Sequence, residues 1–68
     1  MPVTKIIEVL GISEAGSDEA VTEAVTAASR SIRGISNVDV VSLSCDVEEG
    51  RVVRWKALVK IAFPVEPR

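Results

Sequence analysis

The sequence predicts an α+β fold of order β-α-β-β, in which a three-stranded antiparallel sheet packs on one helix. Three observations predict it. A β-branched run opens the chain at residues 3–10, an Ala-rich stripe at three- and four-residue spacing follows Ser17, and two alternating apolar runs flank Glu48, Glu49 and Gly50.

Residues 3–10 (VTKIIEVL) combine β-branched side chains with a length short of a typical helix, so they read as a strand, and Gly11 is expected to end it. Ser17 stands directly before Asp18 and Glu19, the order of an N-cap followed by first-turn acids, which places a helix start there. From that point Ala20, Val21, Ala24, Val25, Ala28, Ile32 and Ile35 share one stripe. The stripe is narrow and built of small residues, which lets a helix lie close to a sheet. Arg30 and Arg33 suit the negative end of the dipole and Gly34 suits a C-terminal stop, so the helix is expected to end near Gly34. Residues 38–47 (VDVVSLSCDV) form the second strand, but their alternation changes phase: Val38 and Val40 have one parity, and Val41, Leu43, Cys45 and Val47 the other. A bulge near Val40 reconciles the two; the alternative is partial cover on both faces. The short EEG turn then makes an antiparallel hairpin with residues 53–65. There Val53, Trp55, Ala57, Val59, Ile61, Phe63 and Val65 alternate with Arg54, Lys56, Leu58, Lys60, Ala62 and Pro64, and Pro64 and Pro67 are expected to end the pairing.

Residues 1–68 make one small domain, and a chain this short hides only about 60% of its unfolded surface. The composition is 47% hydrophobic but only 3% aromatic, so Val, Ile and Ala must supply the core. At about 25 cal/mol per Å² of buried apolar surface against roughly 1.5 kcal/mol of ordering entropy per residue, such a chain comes out near zero alone. Cys45 has no partner for an internal disulfide, and without His there is no thiolate–imidazole zinc site. Association remains, so a symmetric homo-oligomer is expected, with apolar surface near Trp55, Leu58 and the strand ends kept for neighbouring chains. No apolar stretch approaches the ~20 residues that span a bilayer and no cationic leader precedes an apolar segment, so a soluble, cytoplasmic protein without a membrane partner is expected. A lone thiol fits a reducing compartment. The net charge of −2, with dispersed Lys and Arg, gives no footprint for nucleic acid.

The same inventory excludes much chemistry. Without His no Ser-His-Asp or Cys-His arrangement exists, and no enzyme is expected. Cys45 has apolar-face parity and no cationic neighbour, so it reads as packing rather than as a reactive thiolate. Gly11, Gly16 and Ser17 imitate part of a phosphate loop but lack its lysine, and read as a plain strand-to-helix turn. Asp46, Glu48 and Glu49 are either a solvated acidic turn or, multiplied by symmetry, carboxylates sharing a hard cation such as calcium between copies. Trp55 has the parity of Val53, Ala57 and Val59, which favours core or interface packing over stacking on a planar ligand.

The opening KIIEVLGIS, the Ala-rich helix running into SRSIRGI, the VDVVSLSCDVEEGRV hairpin and the closing VKIAFPVEP cover nearly the entire chain, and together they carry a resemblance to the dodecin family. It implies a hollow shell of twelve copies that binds flavin (FMN, FAD or riboflavin) for storage or sequestration. Flavin-binding members resemble one another in a tryptophan that stacks on the ring and a glutamine that bonds its edge; the matching positions here are Asn37 and Lys56. Asn37, Asp39 and Lys56 therefore become the candidate ligand positions, lining a polar pocket for ions, water or a phosphorylated small molecule. For members without the tryptophan the resemblance implies a calcium-associated, flavin-free shell with a structural role as the alternative.

Overall fold

The computed structural model describes residues 3–65, and the terminal residues, Pro67 among them, lie outside the described part. Strand β1 is Val3–Ser13, helix α1 is Ser17–Ser29, β2 is Asn37–Glu48 and β3 is Arg51–Val65. Both sheet pairings are antiparallel and the strand order is β1-β3-β2, so the strand with the longest apolar alternation takes the centre. The expected β-α-β-β architecture is the one observed.

The helix lies on the sheet face formed by the odd-numbered residues of β3. Ala57, Val59 and Ile61 are fully buried there against Ala20 and Ala24, with Ile7, Val9, Val21, Ala28, Ile35, Val38 and Trp55 packed around them. No buried residue is larger than Ile, so the core rests on close approach rather than bulk. Gly11 makes that approach possible. A Cβ at this position would lie 2.0 Å from the carbonyl oxygen of Ala20 and 3.0 Å from the Ala24 Cβ. Gly11 therefore does not end β1, as expected from sequence; the strand runs on to Ser13, and the glycine is the notch that seats the helix.

The helix differs from its expected bounds at both ends. Gly16 is the N-cap rather than Ser17, and no side-chain cap is made; the Ser13 hydroxyl instead accepts the Ala15 N–H at 2.9 Å in the preceding turn. Asp18 and Glu19 occupy the first turn as expected. The helix stops at Ser29, where the Ala28 carbonyl accepts N–H bonds from both Ser31 and Ile32, and no basic residue lies in the last turn. An earlier stop lets the chain turn at Gly34, whose φ is 73°, and bring Ser36 N–H within 2.9 Å of the Ala62 carbonyl at the start of β2. Ile35 thus reaches the core from the connection and not from the helix stripe.

The hairpin turn is tight. Glu48 pairs with Arg51, and Glu49 and Gly50 both have positive φ, 52° and 76°, the primed geometry that matches strand twist. The register then shifts twice. Asp46 pairs with Arg54 while Val47 pairs with Val52, leaving Val53 extra on β3; Val40 pairs with Val59 while Ser42 pairs with Leu58, leaving Val41 extra on β2. The second shift cancels the first. It is the bulge expected from the change of apolar phase, and it puts Val38, Val40, Leu43 and Cys45 on the helix side of the sheet.

Pro64 does not end the pairing: Thr4 pairs with Pro64 and Val3 with Val65. Ala62 directs its carbonyl to the β2 side, where Ser36 donates to it, and Pro64, two residues on, shares that side. Its missing N–H therefore faces the side where β2 has already ended, and no ladder bond is lost.

Candidate functional site

A 13-residue helix spans about 20 Å, whereas the 15 residues of β3 span about 50 Å. The helix covers the middle of one sheet face and leaves the hairpin end and the whole opposite face open. The chain is 53 Å long with a radius of gyration of 14.0 Å, against about 11 Å for a compact domain of this length. It exposes 5055 Å² of surface, where about 4,200 Å² is usual for its mass. Large apolar side chains make up much of the excess: Ile6, Leu10 and Ile12 on β1, Val40, Val41, Leu43 and Val47 on β2, and Val52 on β3 are all exposed. The β1 contribution was hidden in sequence because a β-branched run carries apolar residues on both parities. The described residues of one chain form no pocket.

The open face consists of cross-strand rows read directly from the register. Ile6, Ala62 and Asn37 form one row; Glu8, Lys60 and Asp39 the next; then Leu10, Leu58 and Ser42; then Ile12, Lys56 and Ser44; and Arg54 and Asp46 beyond. Asn37 and Asp39 are thus near neighbours, with Asp39 opposite Lys60. Lys56 lies on the same face but six residues along β3 from the partner of Asn37, about 20 Å away. A single chain does not bring the three candidate ligand positions together.

Lys56 instead belongs to an ion-pair network on the hairpin. Its Nζ is 2.8 Å from Asp46 Oδ1, the other carboxylate oxygen, Oδ2, accepts from Arg54 Nε at 2.9 Å, and Arg54 Nη2 lies 3.6 Å from Glu48 Oε2. Hydrogen bonds from Lys56 and then Arg54 hold the Asp46 carboxyl below its ordinary value of 3.8, outweighing the opposing effect of burial. The hydrogen bond to Asp46 raises Arg54 above the usual guanidinium value, with Glu48 and Glu14 adding charge. The sequence reading missed Arg54. A simple two-residue turn sets Asp46 against Val53, and only the register shift moves it opposite Arg54.

Of the acidic trio, Asp46 and Glu48 face these cations and Glu49 sits in the turn. Among the described residues no three His, Cys, Asp or Glu side chains converge as a metal set. Cys45, read from sequence as packing, is exposed in the chain because the helix does not reach it. Trp55 packs at the margin of the core, paired with Cys45 and Ser13. The chain's two aromatic residues, Trp55 and Phe63, both lie at odd positions of β3, on the helix side. The open face therefore carries polar and charged side chains but no aromatic one.

The family model for Dodecin matches residues 3–66. Among solved structures, dodecin from Streptomyces coelicolor matches with a TM-score of 0.94 at 33% identity, covering 98% of this chain and 96% of that one. Dodecin from Streptomyces davaonensis matches with a TM-score of 0.91 at 20% identity over 97% of each chain. The tt0972 protein from Thermus thermophilus gives 0.94 at 24% identity over 100% of each. These last two show likeness of fold. Comparison with curated protein sequences finds no match. Among the described residues no helix is long and apolar enough to cross a membrane. Since the family model takes in nearly every residue and a 33% identical dodecin aligns over almost its full length, the chain belongs to the dodecin family.

Proposed function

We propose that this chain is a non-enzymatic, cytoplasmic, self-assembling small-ligand-binding protein of dodecin type, a homododecamer whose ligand sites form between copies. The observation that carries the reading is the under-packed chain: its radius of gyration is 14.0 Å, large apolar side chains are exposed on both sheet faces, and it forms no pocket of its own. A second copy laid on the open face buries the part of that surface that lies there, Ile6, Leu10 and Ile12 among it. It also supplies the missing half of a site in which Asn37 and Asp39 of one copy meet Lys56 of another. The ligand class is a flavin held for storage or sequestration, and its affinity is reduced because Asn37 replaces the stacking plate.

Native mass spectrometry and flavin fluorescence titration test this together. The expected particle is roughly twelve times the 7.3 kDa chain, and a monomer at micromolar concentration refutes the assembly. Aromatic stacking is worth about 1–3 kcal/mol per ring, so Asn37→Trp with Lys56→Gln should tighten flavin binding by about tenfold or more. An unchanged affinity refutes the assignment of these positions. Metal analysis of the same sample reads the alternative, a calcium-associated and flavin-free shell.

A further inference from the structure

We propose that Asp46 is a positioning residue for Lys56, fixing its ammonium on the open face so that the site accepts an uncharged, carbonyl-bearing ring edge and rejects an anion. The inference rests on the ligand site proposed above and deepens it.

The geometry is specific. Lys56 Nζ lies 2.8 Å from Asp46 Oδ1, and the other oxygen of the same carboxylate accepts from Arg54 at 2.9 Å. One carboxylate thus bridges the two cations and fixes both to β2. With Glu48 beside Arg54, the four groups carry two positive and two negative charges. A free lysine is a mobile point charge that favours phosphate. A lysine held by a carboxylate keeps its direction but loses most of its attraction for an anion. An ammonium has three N–H donors, and the bond to Asp46 uses one of them. The remaining two can donate to neutral acceptors such as the carbonyl oxygens of a pyrimidinedione ring. Asp46 owes its place to the register: the extra residue Val53 aligns it with Arg54, one outward-facing residue from Lys56.

The test uses the assembled protein, with native mass checked for each variant, and follows the Lys56 ammonium by nitrogen-15 NMR in the cold. In the wild type its resonance should be visible, shift on addition of riboflavin and stay in place on addition of inorganic phosphate. Asp46→Ala should erase the resonance, weaken riboflavin about fivefold and let phosphate perturb the Lys56 side chain. Asp46→Asn, which keeps an oxygen acceptor, should restore part of the riboflavin affinity. A Lys56 resonance indifferent to Asp46→Ala overturns the proposal, as does a wild-type resonance that responds to phosphate as strongly as to riboflavin. If riboflavin moves nothing in the wild type while the resonance still depends on Asp46, the flavin reading fails and the positioning of Lys56 stands. If Asp46→Ala fails to assemble, Asp46→Asn carries the comparison: phosphate should then perturb Lys56, and its failure to do so overturns the proposal.

Discussion

Gly11→Ala places one methyl group where the fold has no room for it. The added Cβ would lie 2.0 Å from the Ala20 carbonyl oxygen and 3.0 Å from the Ala24 Cβ. The clashing atom is backbone and cannot rotate away, so the helix must lift by about 1 Å or β1 must bend outward. Either movement opens the contact of Ala20 and Ala24 with Ala57, Val59 and Ile61, which together are the buried core. Overpacking of this kind costs typically about 1–3 kcal/mol. In a domain of this length each kcal/mol moves Tm by about 4–8 °C, so a fall of about 4–24 °C is expected. The assay is thermal unfolding followed by circular dichroism at fixed protein concentration, since association is linked to apparent stability. Gly16→Ala is the control, because a Cβ there meets no atom within 4 Å. A Gly11→Ala protein melting within about 3 °C of wild type would refute the view that this glycine sets the helix-to-sheet distance.

Other expectations follow from single positions. Ile61 is fully buried at the centre of the sheet, and Ile61→Ala should cost about 2–5 kcal/mol, enough to abolish folding in a thinly cored chain; a soluble assembly with an unaltered melting curve would contradict it. Glu49 sits at φ 52° beside Gly50 at 76°, and Glu49→Asn, which tolerates that region better, should raise stability by about 0.5–1 kcal/mol in denaturant melts; a loss would contradict the turn assignment. Because Lys56 and Arg54 depress the Asp46 pKa below 3.8, its contribution is fully present above the unfolded value and is lost as pH falls through the folded one. Unfolding midpoints should therefore drop below about pH 4 more steeply in wild type than in Asp46→Asn, and parallel curves for the two proteins would count against it.

The folding pattern was legible in the sequence wherever the signal is local. Period-two alternation marked β3, the Ala stripe marked α1, the phase change between Val40 and Val41 marked the bulge, and Glu49 with Gly50 marked the hairpin turn. Boundaries that depend on other segments were not. Gly11 looks like a strand terminator until the helix backbone is known to pass over it, and Pro64 looks like one until β2 is known to end before reaching it. Ile32 and Ile35 continue the helical spacing by coincidence, since the chain leaves the helix to start β2.

The site divides along the same line. Asn37, Asp39 and Lys56 could be named only through the resemblance to the dodecin family, whereas composition alone pointed to association, because burial of small side chains in so short a chain cannot offset its ordering entropy. Only the tertiary structure decided that Asn37 and Lys56 stand about 20 Å apart on one open face. Only the register, shifted by one residue at Val53, decided that Asp46 faces Arg54 and binds Lys56. Apolar periodicity is written along the chain, but a cross-strand ion pair depends on how two strands slide past each other, and a single bulge resets that alignment while leaving each strand's own pattern intact.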